Sequence, residues 1–99
     1  MPYITSLAAN SYAGQFKSPK ELDITVEGTF NTDSNKKINQ FSGRASQGEL
    51  RICDFSCNTY ADPISFNYSN VSDPELFIDA ISCIQNAYDA IVEELKEIN

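Results

Sequence analysis

The sequence predicts an α+β domain: a four-stranded antiparallel β-meander, with a short N-terminal stretch offered as a fifth strand, packed on one face by a long C-terminal α-helix. Three observations lead there. Apolar and polar residues alternate from Leu22 to Phe30. Clusters of Asn, Asp, Ser and Gly then separate further apolar stretches. From Asp73 onward, apolar residues recur at helical spacing with no break after Pro74. The 99 residues fit one domain, divided into an irregular segment over 1–20, a sheet over 21–68 and a helix over 73–98.

The first twenty residues carry the weakest pattern. Tyr3, Ile4, Leu7, Tyr12 and Phe16 can pack, and residues 4–9 are long enough for an edge strand, but Ser18-Pro19 interrupts any regular element. In the next segment Leu22, Ile24, Val26, Gly28 and Phe30 share one side. Asp23, Thr25, Glu27, Thr29 and Asn31 share the other, which is the signature of a half-buried strand. The run Asn31-Thr32-Asp33-Ser34-Asn35 favours a turn, because these side chains bond their own backbone.

Residues 36–46 read as a second strand with a fault of parity. Ile38 and Phe41 cannot share a face of a regular strand, and a bulge repairs this, with Gly43 as its candidate. Gln47-Gly48 supplies a tight turn. Residues 49–59 form a third strand with a similar fault: Leu50 and Ile52 lie on one face, and Cys53, Phe55 and Cys57 on the other. Either this strand is bulged or it is covered on both sides. Asp62-Pro63 breaks it, and Ile64, Phe66 and Tyr68 alternate through a short fourth strand.

The helix has a clear start. Asp73 is a good cap and Pro74 suits the first helical position, with Ser72 and Glu75 as an alternative capping box. Phe77, Ile81, Ile84, Tyr88, Ile91, Leu95 and Ile98 then form one stripe, widened by Ala80, Ala87 and Val92. The outward face reads Glu75, Asp79, Ser82, Asn86, Asp89, Glu93 and Glu97.

Composition excludes several classes of chemistry. The chain has no histidine, hence no Ser-His-Asp or Cys-His catalysis, no histidine zinc site and no histidine pH switch. A net charge of −7 opposes direct nucleic-acid binding, which needs a basic footprint. No 18-residue apolar run exists to cross a membrane. No basic region precedes the apolar start, so a cytoplasmic rather than a secreted location is expected. Cys53 and Cys57, four apart on a strand, stand about 13 Å apart, too far for a disulfide. With Cys83 they read as packed free thiols, without the spacing of a zinc site.

No constellation of catalytic type stands out. Asp33, Asp54 and Asp62 fall in no recognisable pair. Asp33-Ser34-Asn35 opens like a calcium loop but lacks its glycine and closing glutamate, and Gly43 and Gly48 are isolated rather than part of a phosphate loop. Asn67-Tyr68-Ser69 and Asn70-Val71-Ser72 match the short glycosylation pattern and read as loop residues before the helix cap. Lys36, Lys37, Arg44 and Arg51 read as balance for Glu27, Glu49 and Asp54. No enzyme, cofactor or metal is expected.

Charge is distributed unevenly. Residues 73–99 hold seven acids against Lys96, a net −6, so nearly all of the excess belongs to the helix. Glu93, Glu94 and Glu97 lie at the negative end of the helix dipole, each disfavoured by about 0.3–1 kcal/mol at low salt. Duplex DNA as long as a 26-residue helix, about 39 Å, carries on the order of 23 charges, so the helix has charge enough to mimic a short stretch but not a duplex. Two readings account for the misplaced acids: a solvated face that keeps a small protein soluble, or a docking face of Asp79, Asp89, Glu93, Glu94 and Glu97 for another protein with a basic surface. The helix also exceeds the roughly 30 Å reach of the strands. Leu95 and Ile98 are therefore expected to overhang and to be covered by residues 3–7 or by a second copy in a homodimer.

In size, acidity and lack of a catalytic motif the chain resembles the small acidic proteins carried by phages and mobile elements, including inhibitors of CRISPR systems. That resemblance implies a non-catalytic inhibitor that blocks a basic partner surface. The alternative is a self-associating structural or assembly subunit, for which the apolar overhang and the sheet edge matter more than the acids.

Overall fold

The computed structural model describes residues 3–7, 13–19, 23–33, 35, 37–58 and 65–97, with Asn58 described by its backbone alone. Leu22, Lys36, Asp62, Pro63, Ile64 and Ile98 lie outside the described residues. The architecture is α+β, as the patterning predicts, but among the described residues the sheet has six strands: β1 Ile4–Leu7, β2 Ala13–Lys17, β3 Thr25–Thr32, β4 Ile38–Gln47, β5 Leu50–Asn58 and β6 Ser65–Ser69. They pair antiparallel in sequence order, and α1, Pro74–Lys96, lies across one face.

The parity faults are resolved by bulges. Asn31 opposes Gln40 while Thr32 opposes Ile38, so Asn39 is the extra residue. It brings Ile38 and Phe41 to the same face, 2% and 1% exposed. In β5, Ala45 opposes Cys53 and Ser46 opposes Arg51, leaving Ile52 unopposed. Ile52 and Cys53 are neighbours and both are fully buried. The Ile52 carbonyl instead accepts the Ser72 N–H at 2.8 Å, tying the approach to α1 back onto the sheet. Gly43 is not part of either bulge. It sits in regular register opposite Gly28.

One cross-strand row runs through the whole sheet: Ile4, Phe16, Gly28, Gly43, Phe55 and Tyr68. The two glycines at its centre let the backbones of β3 and β4 approach closely. A Cβ on Gly28 would lie 2.0 Å from the Ser42 carbonyl oxygen, and one on Gly43 would lie 2.0 Å from that of Glu27. The rings of Phe16, Phe41 and Phe55 gather beside this pair. Phe16 stacks on Phe41 with centroids 4.9 Å apart, and Phe55 lies 5.3 Å from Phe41. Tyr88 of α1 meets Phe41 edge-on at 5.3 Å, so the aromatic cluster joins helix to sheet.

The Asp73 carboxylate caps α1, accepting the N–H groups of Glu75 and Leu76 at 3.0 and 3.1 Å, with Pro74 in the first turn. The cap is therefore Asp73 rather than the Ser72–Glu75 box. The helix ends at Lys96, before the expected 98. Its buried line is Ala80, Ile84, Ala87, Ile91, Glu94 and Leu95. This is rotated from the stripe of large residues, because the two alanines allow the helix to settle close to the sheet. The rotation leaves Ile78 70% exposed and carries Glu94 inward. No described helix is long and apolar enough to cross a membrane.

Candidate functional site

The solvent side of α1 carries Glu75, Ile78, Asp79, Ser82, Asn86, Asp89, Glu93 and Glu97, all exposed. The packing that buries Ala80, Ile84, Ala87 and Ile91 fixes this orientation, since residues three and four apart share a helix face. Asp79 and Asp89 make no ion pair among the described residues. Glu93 meets Lys96 at 3.1 Å, but their side chains are 71% and 67% exposed, a geometry worth little in water. Ile78 stands among these acids, with Glu75 one turn before it and Ser82 one turn after.

Glu94 does not belong to this face. It is 6% exposed, and its carboxylate accepts the Ile4 N–H at 3.0 Å and the Tyr3 N–H at 3.1 and 3.2 Å. An acid that the charge count assigns to a docking surface instead holds down the first strand. A carboxylate becomes affordable inside a protein when backbone donors replace its water. Leu95 likewise is no overhang. It is 3% exposed in a single chain and packs in the core with Ile4. The helix ends earlier than expected and β1 covers it, so Leu95 needs no second copy.

The opposite face of the sheet is polar, and no described element packs across it. One row reads Ser6, Gln15, Thr29, Ser42, Ser56 and Asn67, all neutral. The next reads Lys17, Glu27, Arg44, Asp54 and Ser69, alternating in sign across the first four. Lys17 approaches Glu27 at 4.0 Å and Arg44 approaches Asp54 at 3.3 Å. The basic residues are thus partly balanced as expected: Glu27 lies between Lys17 and Arg44 and pairs with Lys17, while Arg44 pairs with Asp54. The Asn70 amide also donates to Asp54 at 2.7 Å. This bond, followed by the Arg44 hydrogen bond and the charges of Arg51 and Arg44, holds the Asp54 carboxyl below the usual range. Asn70 adopts a φ of 54°, an uncommon left-handed geometry that asparagine tolerates.

Shallow depressions on the sheet include one of about 450 Å³ lined by Thr5, Gln15, Phe16, Lys17, Glu27, Gly28 and Thr29. Its polar groups are hydroxyls, an amide and one self-paired ion pair. Cys53, Cys57 and Cys83 are free, and burial pushes each thiol up, away from the reactive thiolate. Among the described residues, no group of three or more His, Cys, Asp or Glu could hold a metal ion. Asn67 lies within β6 rather than in a loop, whereas Asn70 is in the connection to α1.

No family model, curated protein or solved structure matches this chain.

Proposed function

We propose that the chain is a non-catalytic protein-interaction module that docks the exposed face of α1 on a basic surface of another protein. The observation that carries this reading is the exposure of Ile78, 70%, within a stripe of acids on a helix whose other side is committed to the sheet. An apolar anchor with a charged surround is the usual arrangement of a protein-binding patch. The contact set is Ile78, Asp79, Asp89, Glu93 and Glu97, without Glu94. Carboxylates of one sign steer a cationic partner and make association salt-sensitive. Blocking such a surface requires no catalytic group, which suits a stoichiometric inhibitor of the phage-borne type.

The test compares the wild-type chain with an Asp89→Lys/Glu93→Lys chain as bait in affinity capture from bacterial lysate. Each protein retained by the wild type is then purified and titrated against both. Binding at least tenfold weaker for the double variant, and for the wild type at high salt, supports the reading. A partner held equally well by both chains removes the acidic face from it.

A further inference from the structure

The two edges of the sheet are built differently. At one edge β1 is four residues long, its register shifts between Ile4 and Ser6, and its first N–H groups are bonded to the Glu94 carboxylate. These devices discourage a further strand from adding there. At the other edge β6 has none of them. Ser65-Phe66-Asn67-Tyr68-Ser69 contains no charge, no proline and no register shift against β5. Among the described residues no strand pairs with its far side.

Its sequence is also a chemical palindrome about Asn67: serine, aromatic, asparagine, aromatic, serine. Phe66 and Tyr68 are half-buried at the margin of the core, where Tyr88 and Phe77 of α1 meet them edge-on at 5.8 and 5.2 Å. Ser65, Asn67 and Ser69 are exposed. A strand with these properties complements a second copy of itself. About a two-fold axis through Asn67, Ser65 opposes the partner's Ser69, Phe66 opposes the partner's Tyr68, and Asn67 opposes the partner's Asn67. Aromatics meet aromatics on the helix side and polar groups meet polar groups on the other, which is the favourable antiparallel pattern. The row that ends at Tyr68 continues into the partner's Phe66.

We infer that β6 pairs with β6 of a second chain to form a two-fold symmetric dimer with one continuous twelve-stranded sheet and both helices on the same side. The contact is isologous, so it closes at two copies. It is small, and it joins two chains that each carry −7. Association is therefore weak and strengthens with salt, because screening removes the mutual repulsion while the edge itself is neutral. That sign is opposite to the salt dependence of the acidic helix face.

Mass is measured by light scattering from micromolar to about 1 mM chain, for the wild type, Asn67→Lys and Asn67→Asp. Asn67 is exposed, and matching thermal denaturation curves verify that each variant folds. The expected result is a concentration-dependent shift of the wild type toward two chains. Each variant self-associates at least tenfold more weakly, since like charges meet on the axis. An equimolar mixture of the two variants restores a dimer with one chain of each. In a mixed isotope-labelled sample, inter-chain contacts join Phe66 to Tyr68. A wild type that stays single throughout overturns the inference. So do variants that associate as the wild type does, or inter-chain contacts that fall on another element.

Discussion

The Glu94 carboxylate accepts the backbone N–H of Ile4 at 3.0 Å, joining positions 90 residues apart in sequence. The same carboxylate takes the Tyr3 N–H, and the adjacent Lys17 N–H bonds the Tyr3 carbonyl at 2.9 Å. The first strand is therefore held from two sides, by β2 and by the last turns of α1. Glu94→Ala would leave both donors without an acceptor in a buried place, at about 1–3 kcal/mol for each unsatisfied group. The expected loss of unfolding free energy is about 2–4 kcal/mol by urea titration. Glu94→Gln keeps one acceptor oxygen and should lose less than half as much. Equal effects of the two substitutions would show that volume, not hydrogen bonding, matters at this site.

Gly28→Ala and Gly43→Ala should each destabilise by about 3 kcal/mol or more, because the added methyl meets backbone rather than a movable side chain. Gly48 is the control. It has a φ of 61° in the β4–β5 turn and open space around it, so Gly48→Ala incurs only the left-handed backbone penalty of about 1–2 kcal/mol. Thermal or urea unfolding of the three variants ranks them directly. A mild effect at Gly28 or Gly43 would mean that β3 and β4 can separate without loss.

Asp54 gives the fold a specific acid sensitivity. Its carboxyl lies below the usual range through the Asn70 amide first, then Arg44 and Arg51. A depressed folded-state value contributes stability that is present above the unfolded value of about 3.9 and is lost as pH falls through the lower folded value. Asp54→Asn should therefore be less stable than the wild type at neutral pH. The gap should narrow progressively below about pH 4, read as unfolding free energy against pH for both chains. A gap that is constant with pH would assign the effect to geometry rather than to charge.

The helix and the central strands were legible because their signals are local. Asp73-Pro74 marks a start within two residues, and the conflict between Ile38 and Phe41 announces a bulge without saying which residue is extra. The strand Ala13–Lys17 offers only one large apolar side chain, Phe16, so no alternation appears. Its place depends on the pairing of Phe16 with Gly28, which no local pattern reports. The same holds for the site. The exposed acids on α1 follow from helical spacing alone. The inward turn of Glu94 depends on Ala80 and Ala87 admitting the sheet and on an N–H group at the far end of the chain. Ile78 was the missed member. Its spacing places it between acids, off the stripe of large residues, and that mismatch was the available signal.

Glu97 separates fold from docking. It is exposed beside the negative end of α1, four residues after Glu93. Both relationships are unfavourable, by about 0.3–1 kcal/mol for the dipole and about 0.2–0.5 kcal/mol for the like-charged pair. Glu97→Lys reverses both and places a lysine four residues after a glutamate, the better orientation. The variant should be more stable by about 0.5–1 kcal/mol at low salt, with the gain fading near 1 M salt, where screening reaches about 3 Å. The same substitution removes one carboxylate from the proposed contact set, so binding to a basic partner should weaken while the melting temperature rises. A variant that gains stability and keeps its partner would confine docking to the Ile78, Asp79 and Asp89 portion of the helix. One that loses stability would show that Glu97 has a favourable role in closing the helix, against the electrostatic expectation.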